Sequence, residues 1–294
     1  ADFYTAPNPP FGATFTYYLK ESYRSNKSKR QSADAKKAKA GEDVPYPSWD
    51  TLKKEDREEN PAVSLVIRDS DGQIVRRLKG KTSKGVHRAT WNFRHPSFAG
   101  RGNGPLALPG NYTVSIEKHM GGETTELVAP MAFEVKVLGE PTLPVTDRAG
   151  ILTFQKKTGE LQRAVMGASS ALRDAASQLT RIRSALSNAG GDTQTLWTAA
   201  TALATRIRDL QESINGDPTR RRRAEPGPRG LMSRIQQIIR GHWSSTAGPT
   251  SSHRKNYDIA ADEFAAIHSQ IKTAVEVDLP NLHRQLDAAG IPWT

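Results

Sequence analysis

Four consecutive arginines, Arg220-Arg221-Arg222-Arg223, stand in the segment DPTRRRRAEPGPRG and form the densest concentration of one chemistry in the chain. A guanidinium presents five donors in a rigid fork, which suits phosphate, sulfate and carboxylate oxygens. The plainer reading is a solvated inter-helix loop, since no aromatic residue is interleaved with the run to stack on a base. A second basic tract spans 20–39 and includes Lys36 and Lys37, with the same two readings. Trp243, in the Ser/Thr/Gly-rich segment GHWSSTAGPT, either caps neighbouring helices or meets a partner. It continues a stripe through Leu231, Ile235 and Ile239, which favours capping.

Other constellations fall short of chemistry. Asp69-Ser70-Asp71-Gly72 has the opening of a calcium loop, but that pattern needs a third oxygen ligand before the glycine and a Glu about six residues after it. Arg76 to Lys79 supply basic groups there, so the segment reads as a turn. The seven histidines show no HxxxH or HxH spacing. Asp262 and Glu263 are adjacent carboxylates on a solvated helix face. There is no GxSxG, no P-loop and no GxGxxG following a strand; Gly100 to Gly104 reads as a flexible hairpin loop. The chain has 0 cysteines, which excludes disulfides, thiol catalysis and thiolate metal sites. Asn111-Tyr112-Thr113 is a formal glycosylation sequon at a strand start. The chain is therefore read as non-enzymatic, with no catalytic, cofactor-binding or metal-binding residues.

The composition bounds the rest. A chain of 294 residues is long enough for about two domains. A hydrophobic share of 36% and a mean hydropathy of -0.61 fit a soluble protein, and no run approaches the ~18 apolar residues of a membrane span. The net charge of +11 favours anionic partners. The sequence opens at Ala1 on APNPPFGATFTYYL and is read as a mature product or a piece of a longer polypeptide.

The elements that must position these residues fall into two regions. Residues 1–140 carry strand signals at 13–19, 62–68, 74–78, 86–93, 111–118 and 131–138, with turns at Asp69 to Gly72, Pro109-Gly110-Asn111 and Gly121-Gly122. Between the first two strands, about 20–59, a polar excursion holds helix formers at 32–40 and 48–58, with Ser48 as N-cap; its basic first half and acidic second half predict that they fold back on each other. Residues 141–146 read as the linker. From 147 the period changes to threes and fours: one stripe runs Ile151 to Leu186, another Leu196 to Ile214, a short one Leu231 to Ile238, and a long one Tyr257 to Leu286, where Pro280 should kink or divide the helix. The expected class is α+β: an immunoglobulin- or fibronectin III-like antiparallel sandwich with a helical insertion, then an up-down-up three-helix bundle over 147–294.

Several phrases carry a family resemblance. TAPNPPFGATFTYYLKE (5–21), IRDSDGQIVRRL (67–78), KGVHRATWNFRHP (84–96), LPGNYTVSIEK (108–118), DRAGILTFQKKTGELQRAV (147–165), GHWSSTAGPT (241–250) and AAGIPWT (288–294) resemble the region after the β-propeller in large bacterial sortilin-like, BNR-repeat, glycosyl hydrolase-like proteins. The first region is also similar to the immunoglobulin-like domain of the flagellar hook-cap protein, through its D-x-x-G, G-x-x-x-x-x-W and P-G-x-Y pattern. Where that family usually has WDLR, this chain has Trp91-Asn92-Phe93-Arg94, so the acid is missing. The resemblance implies an exported protein, periplasmic or extracellular, whose propeller precedes these segments. It implies a non-catalytic accessory region docking on that propeller or on another subunit. Two alternatives accompany it: a module binding an acidic glycan or nucleic acid through Arg220 to Arg223 and the 20–39 tract, and a part that shapes the cleft of a hydrolase-like parent.

Overall fold

A computed structural model describes residues 8–139, 145 and 147–293. The expected linker, 141–146, lies outside the described residues except for Val145, as does Pro7 of the Pro-rich entry. The chain is α+β, with 50% helix, 21% strand and antiparallel sheets. It divides into two compact units, Ala1–Pro96 with Leu106–Glu140, and Ser97–Pro105 with Pro141–Thr294. The segment Ser97–Pro105, read from sequence as part of the first region, groups with the helices instead.

In the first unit β1 (Ala13–Leu19) pairs antiparallel with β4 (Gly85–Trp91), with Tyr17 opposite His87 and Tyr18 opposite Val86. A four-stranded sheet runs β3 (Ile74–Lys79), β2 (Ala62–Arg68), β7 (Gly110–Met120), β8 (Glu123–Val135). Strand β2 reads AVSLVIR, and Val63, Leu65, Val66 and Ile67 are each 0% exposed, as a central strand covered on both faces requires. Two apolar clusters join the sheets: Tyr17 and Leu19 meet Val63, Leu65 and Ile116, while Trp91 meets Ile67, Val75, Tyr112 and Val135. Trp91 is fully buried; its ring meets Phe93, Tyr112 and Phe133 edge-on, and its indole N–H donates to the Arg94 carbonyl at 3.0 Å.

Three features differ from the sequence reading. The strand expected at 86–93 stops at Trp91, because Phe93 takes a left-handed φ of 58° and turns the chain. Strand β8 begins at Glu123 rather than 131, on a polar Thr/Glu stretch whose exposure hides the strand period; Pro130 is tolerated there because β8 is a sheet edge. Two short strands, β5 (Arg94–Pro96) and β6 (Asn103–Leu106), were not legible. The Asp69 turn is a turn: Asp69 Oδ1 accepts from the amides of Asp71 and Gln73 at 3.2 and 2.8 Å.

The excursion folds into α1 (Asn26–Lys39) and α2 (Trp49–Arg57), capped by Ser25 and Ser48. Neither helix buries an apolar residue; Glu55 is the one buried side chain between them. Charge therefore holds them. Arg30 grips Glu55 with two bonds of 2.7 and 2.8 Å and Asp34 with one of 2.9 Å, Lys27 meets Asp56 at 3.1 Å, and Glu58 accepts from the first amide of α1, that of Asn26. The oppositely charged halves do fold back on each other.

In the second unit the main core draws on α3 (Arg148–Asn188), α4 (Gln194–Asn215), α6 (Leu231–His242), α7 (Ser251–Thr273) and α8 (Leu279–Ala288), and a smaller cluster joins Phe154, Ile238 and Tyr257. The α3 stripe from Leu152 to Leu186 is buried as its spacing requires, and Asp147 caps it by accepting from Gly150 N at 2.7 Å. Thr250 and His253 form a reciprocal capping box on α7. The last helical stretch is divided ahead of Pro280, as expected: α7 ends at Thr273 and α8 starts at Leu279, with the proline in its first turn. Between them lies one π-helical turn, Ala274–Asp278, closed by the Leu279 amide donating to the Ala274 carbonyl. The Arg-rich loop contains a further element, the one-turn helix α5 (Pro218–Arg222), capped by Asp217 and started by Pro218.

Candidate functional site

The arginines occupy a corner of the second unit built by three short stretches. Helix α4 ends at Asn215, α5 follows at once, and the PGPRG segment returns to start α6 at Gly230. Only glycine fits that crossing: a Cβ on Gly230 would lie 2.4 Å from Gly216 N and 2.9 Å from Ile214 O. The crossing sets Asn215, Arg221, Arg229, Met232, Ser233, Gln236, Gln237 and Arg240 around one open groove of about 730 Å³. No carboxylate is among them. Three acids of this corner, Asp209, Glu212 and Asp217, line an adjoining cleft of about 470 Å³ with Arg220 and Arg229, and Glu225 lines another of about 480 Å³ with Asp217, Arg220, Arg221 and Arg229.

The four arginines of the run thus separate by role. Arg220 is folded home: its Nε lies 3.4 Å from Asp217 Oδ2, its Nη1 donates to Pro226 O at 3.4 Å, and its stem packs on Gly227. Arg222 donates to the Pro218 carbonyl at 3.3 Å. Arg221 lines the groove and Arg223 closes α5; both are exposed, and neither guanidinium pairs with another described residue. Arg229 donates to Gln237 Oε1, which leaves the Gln237 amide N–H groups free to donate into the groove. Arg240, in the last turn of α6, is exposed and likewise pairs with no described residue.

Sequence reasoning missed Arg229, Arg240 and the two glutamines. The signal was there in the α6 period: with Leu231, Ile235 and Ile238 buried, Ser233, Gln237 and Arg240 must share the opposite face. The other expected residues lie elsewhere. Lys36 and Lys37 are exposed in the last turn of α1, in the first unit, where cations favour the helix end. The tract around them is partly neutralised, since Lys27 and Arg30 are paired with α2. Trp243, read from sequence as either a cap or a partner contact, is 8% exposed, with its ring 6.0 Å from that of Phe98.

A buried polar cluster sits beneath the GHWSSTAGPT segment. Gln155 donates to the His242 carbonyl at 3.0 Å, and His242 Nε2 lies 3.1 Å from Ala247 O. An Nε2–H tautomer satisfies that bond and leaves Nδ1 buried without a partner. Burial pushes the His242 imidazole below its ordinary pKa, assisted by nearby His253 and Arg254. These contacts clamp the loop and bring no carboxylate to the ring. Among the described residues no group of three or more His, Asp or Glu could hold a metal, and no helix is long and apolar enough to cross a membrane.

Apolar groups also stand exposed on the first unit. Tyr46 and Trp49 are 77% and 71% exposed, their rings 6.3 Å apart between the two helices of the excursion; Tyr18 and Val86, cross-strand neighbours, are 61% and 68% exposed. A scan of the chain against protein-family models finds no match, and searches of curated proteins and of solved structures find none.

Proposed function

We propose that this chain is a non-catalytic accessory region of an exported bacterial β-propeller protein, working in the periplasm or outside the cell. In this reading the first unit is an immunoglobulin-like sandwich, the second an up-down-up helical bundle, and the first docks on the propeller of the same polypeptide. The resemblance of the seven segments quoted above is the origin of the reading. One structural observation carries the docking: the exposed Tyr46–Trp49 pair on a hairpin whose helices are locked by Arg30, Glu55 and Asp34. Trp and Tyr are the residues that dominate protein–protein hot spots, and presenting them from a fixed frame lowers the ordering cost of association. A pair so exposed in a polar excursion is apolar surface set out for cover.

The test begins with the coding sequence upstream of Ala1, which should encode Asp-box propeller repeats. Hydroxyl-radical footprinting then compares the 294-residue chain with the longer polypeptide. Peptides holding Tyr46 and Trp49 should lose most of their labelling in the longer form. Absence of the repeats, or equal labelling of both forms, overturns the reading.

A further inference from the structure

We infer that the groove lined by Arg221, Arg229 and Arg240 is a binding site for an acidic glycan bearing sulfate or phosphate esters. The site is independent of the docking surface, which lies in the first unit.

The charge is concentrated and available. Residues 215–240 hold seven arginines against two acids, Asp217 and Glu225, and the chain as a whole carries +11. Asp217 caps α5 and meets Arg220, while Glu225 lines the neighbouring cleft and forms no ion pair with a groove arginine; neither acid lines the groove itself. Three guanidiniums that share one cavity of about 730 Å³ pay a standing repulsion, which a multivalent anion relieves. Each guanidinium can grip a tetrahedral oxyanion with two parallel bonds.

The remaining lining selects among anions. Asn215, Ser233, Gln236 and Gln237 bring amide and hydroxyl groups that both donate and accept, the chemistry that matches sugar hydroxyls. The one apolar member is Met232, and no aromatic ring lines the groove. Single-stranded nucleic acid binders depend on such rings, since each stacked base contributes about 1–3 kcal/mol. A sulfated or phosphorylated saccharide needs none. The groove is open to solvent rather than enclosed, so a ligand larger than its volume of about 730 Å³ can lie across it.

Fluorescein-labelled heparin dodecasaccharide, followed by anisotropy against salt, is the direct probe, with single-stranded DNA of equal charge beside it. The intact chain should bind heparin more tightly than the DNA, with affinity falling as salt rises. Arg221→Ser/Arg229→Ser/Arg240→Ser should weaken heparin binding on the order of 100-fold and flatten the log–log salt slope by roughly 2, at ~0.7 per lost contact. Lys36→Ser/Lys37→Ser/Lys39→Ser removes the same number of charges from residues that do not line the groove and should change the affinity less than ~3-fold. Arg221→Lys/Arg229→Lys/Arg240→Lys guards against misfolding: it should weaken binding about 10-fold with the slope kept, because charge remains and the forks are lost. No heparin binding by the intact chain overturns the proposal. So does an equal loss in the arginine and lysine variants, which would make net charge the cause, and so does tighter binding of the DNA, which would make the ligand a nucleic acid.

Discussion

Two glycines in one helix should respond to the same substitution with opposite signs. Helix α3 contains Gly159 and Gly167, and in an exposed helix interior Gly→Ala stabilises by about 0.8–1 kcal/mol through propensity alone. Around Gly167 an added Cβ meets nothing within 4 Å, so Gly167→Ala should gain that full amount. At Gly159 the Cβ would fall 2.1 Å from Cδ2 of Phe98 and 2.5 Å from Cγ, well inside any van der Waals contact. The ring has to leave. Half-buried, Phe98 contributes about 1 kcal/mol of the ~1.5–3 a fully buried apolar side chain gives. Its tilted contact with Trp243 at 6.0 Å and the Arg163 guanidinium over its face at 5.7 Å go with it. Those two are worth about 0.5–1 kcal/mol each. Lost contacts of ~2–3 kcal/mol outweigh the propensity gain, so Gly159→Ala should destabilise by about 1–2 kcal/mol. Urea unfolding followed by helix CD reads both; in heat, ~2–4 °C per kcal/mol is expected for a unit of this size. The pair Phe98→Ala/Gly159→Ala sharpens the test, because with the ring already gone the added methyl should stabilise by about 1 kcal/mol. If Gly159→Ala alone stabilises as Gly167→Ala does, the docking of Phe98 on α3 is wrong.

Two further predictions concern pH. The Arg30 guanidinium, first by hydrogen bonding and then by charge, holds the Glu55 carboxyl below its ordinary value. A depressed acid stabilises above its unfolded pKa of ~4.3 and loses that contribution as pH falls through the folded value. The excursion should therefore loosen in acid before the rest of the unit, and Glu55→Gln should loosen it at neutral pH; limited proteolysis across residues 40–48 measures both, and equal cleavage at pH 7 and pH 3 would count against the ionic clamp. His242 gives a separate window. Its folded pKa is depressed by burial, so the unfolded chain binds the proton first, and the helical unit loses stability as pH falls below ~6.5. The melting temperature of His242→Gln should depend less on pH between 7.5 and 5.5 than that of the unchanged chain; parallel curves would remove His242 as the cause.

What could be read from the residues is what depends on near neighbours along the chain. Strands β1 and β3 follow from alternation, β2 from an apolar run, and helices α3, α4 and α7 from three-four spacing, while Ser48 marks a start because capping is a contact across three residues. The mutual neutralisation of the excursion was also legible, since opposite charge in two short helices leaves few other arrangements. The failures share a different cause. GRGNG looks like a free hairpin loop, yet its segment carries Phe98 onto Gly159, some sixty residues away along the chain. Nothing in the sequence around Gly159 distinguishes it from Gly167: both interrupt good helix formers, and only the approach of a distant ring separates them. The groove repeats the lesson. The run of four arginines drew attention by density, but Arg220 and Arg222 are consumed by their own turn, while Arg229 and Arg240 become neighbours of Arg221 only because Gly230 crosses against Gly216. Charge density locates a region; close backbone approach, which glycines permit without announcing, decides which of its charges face the same space.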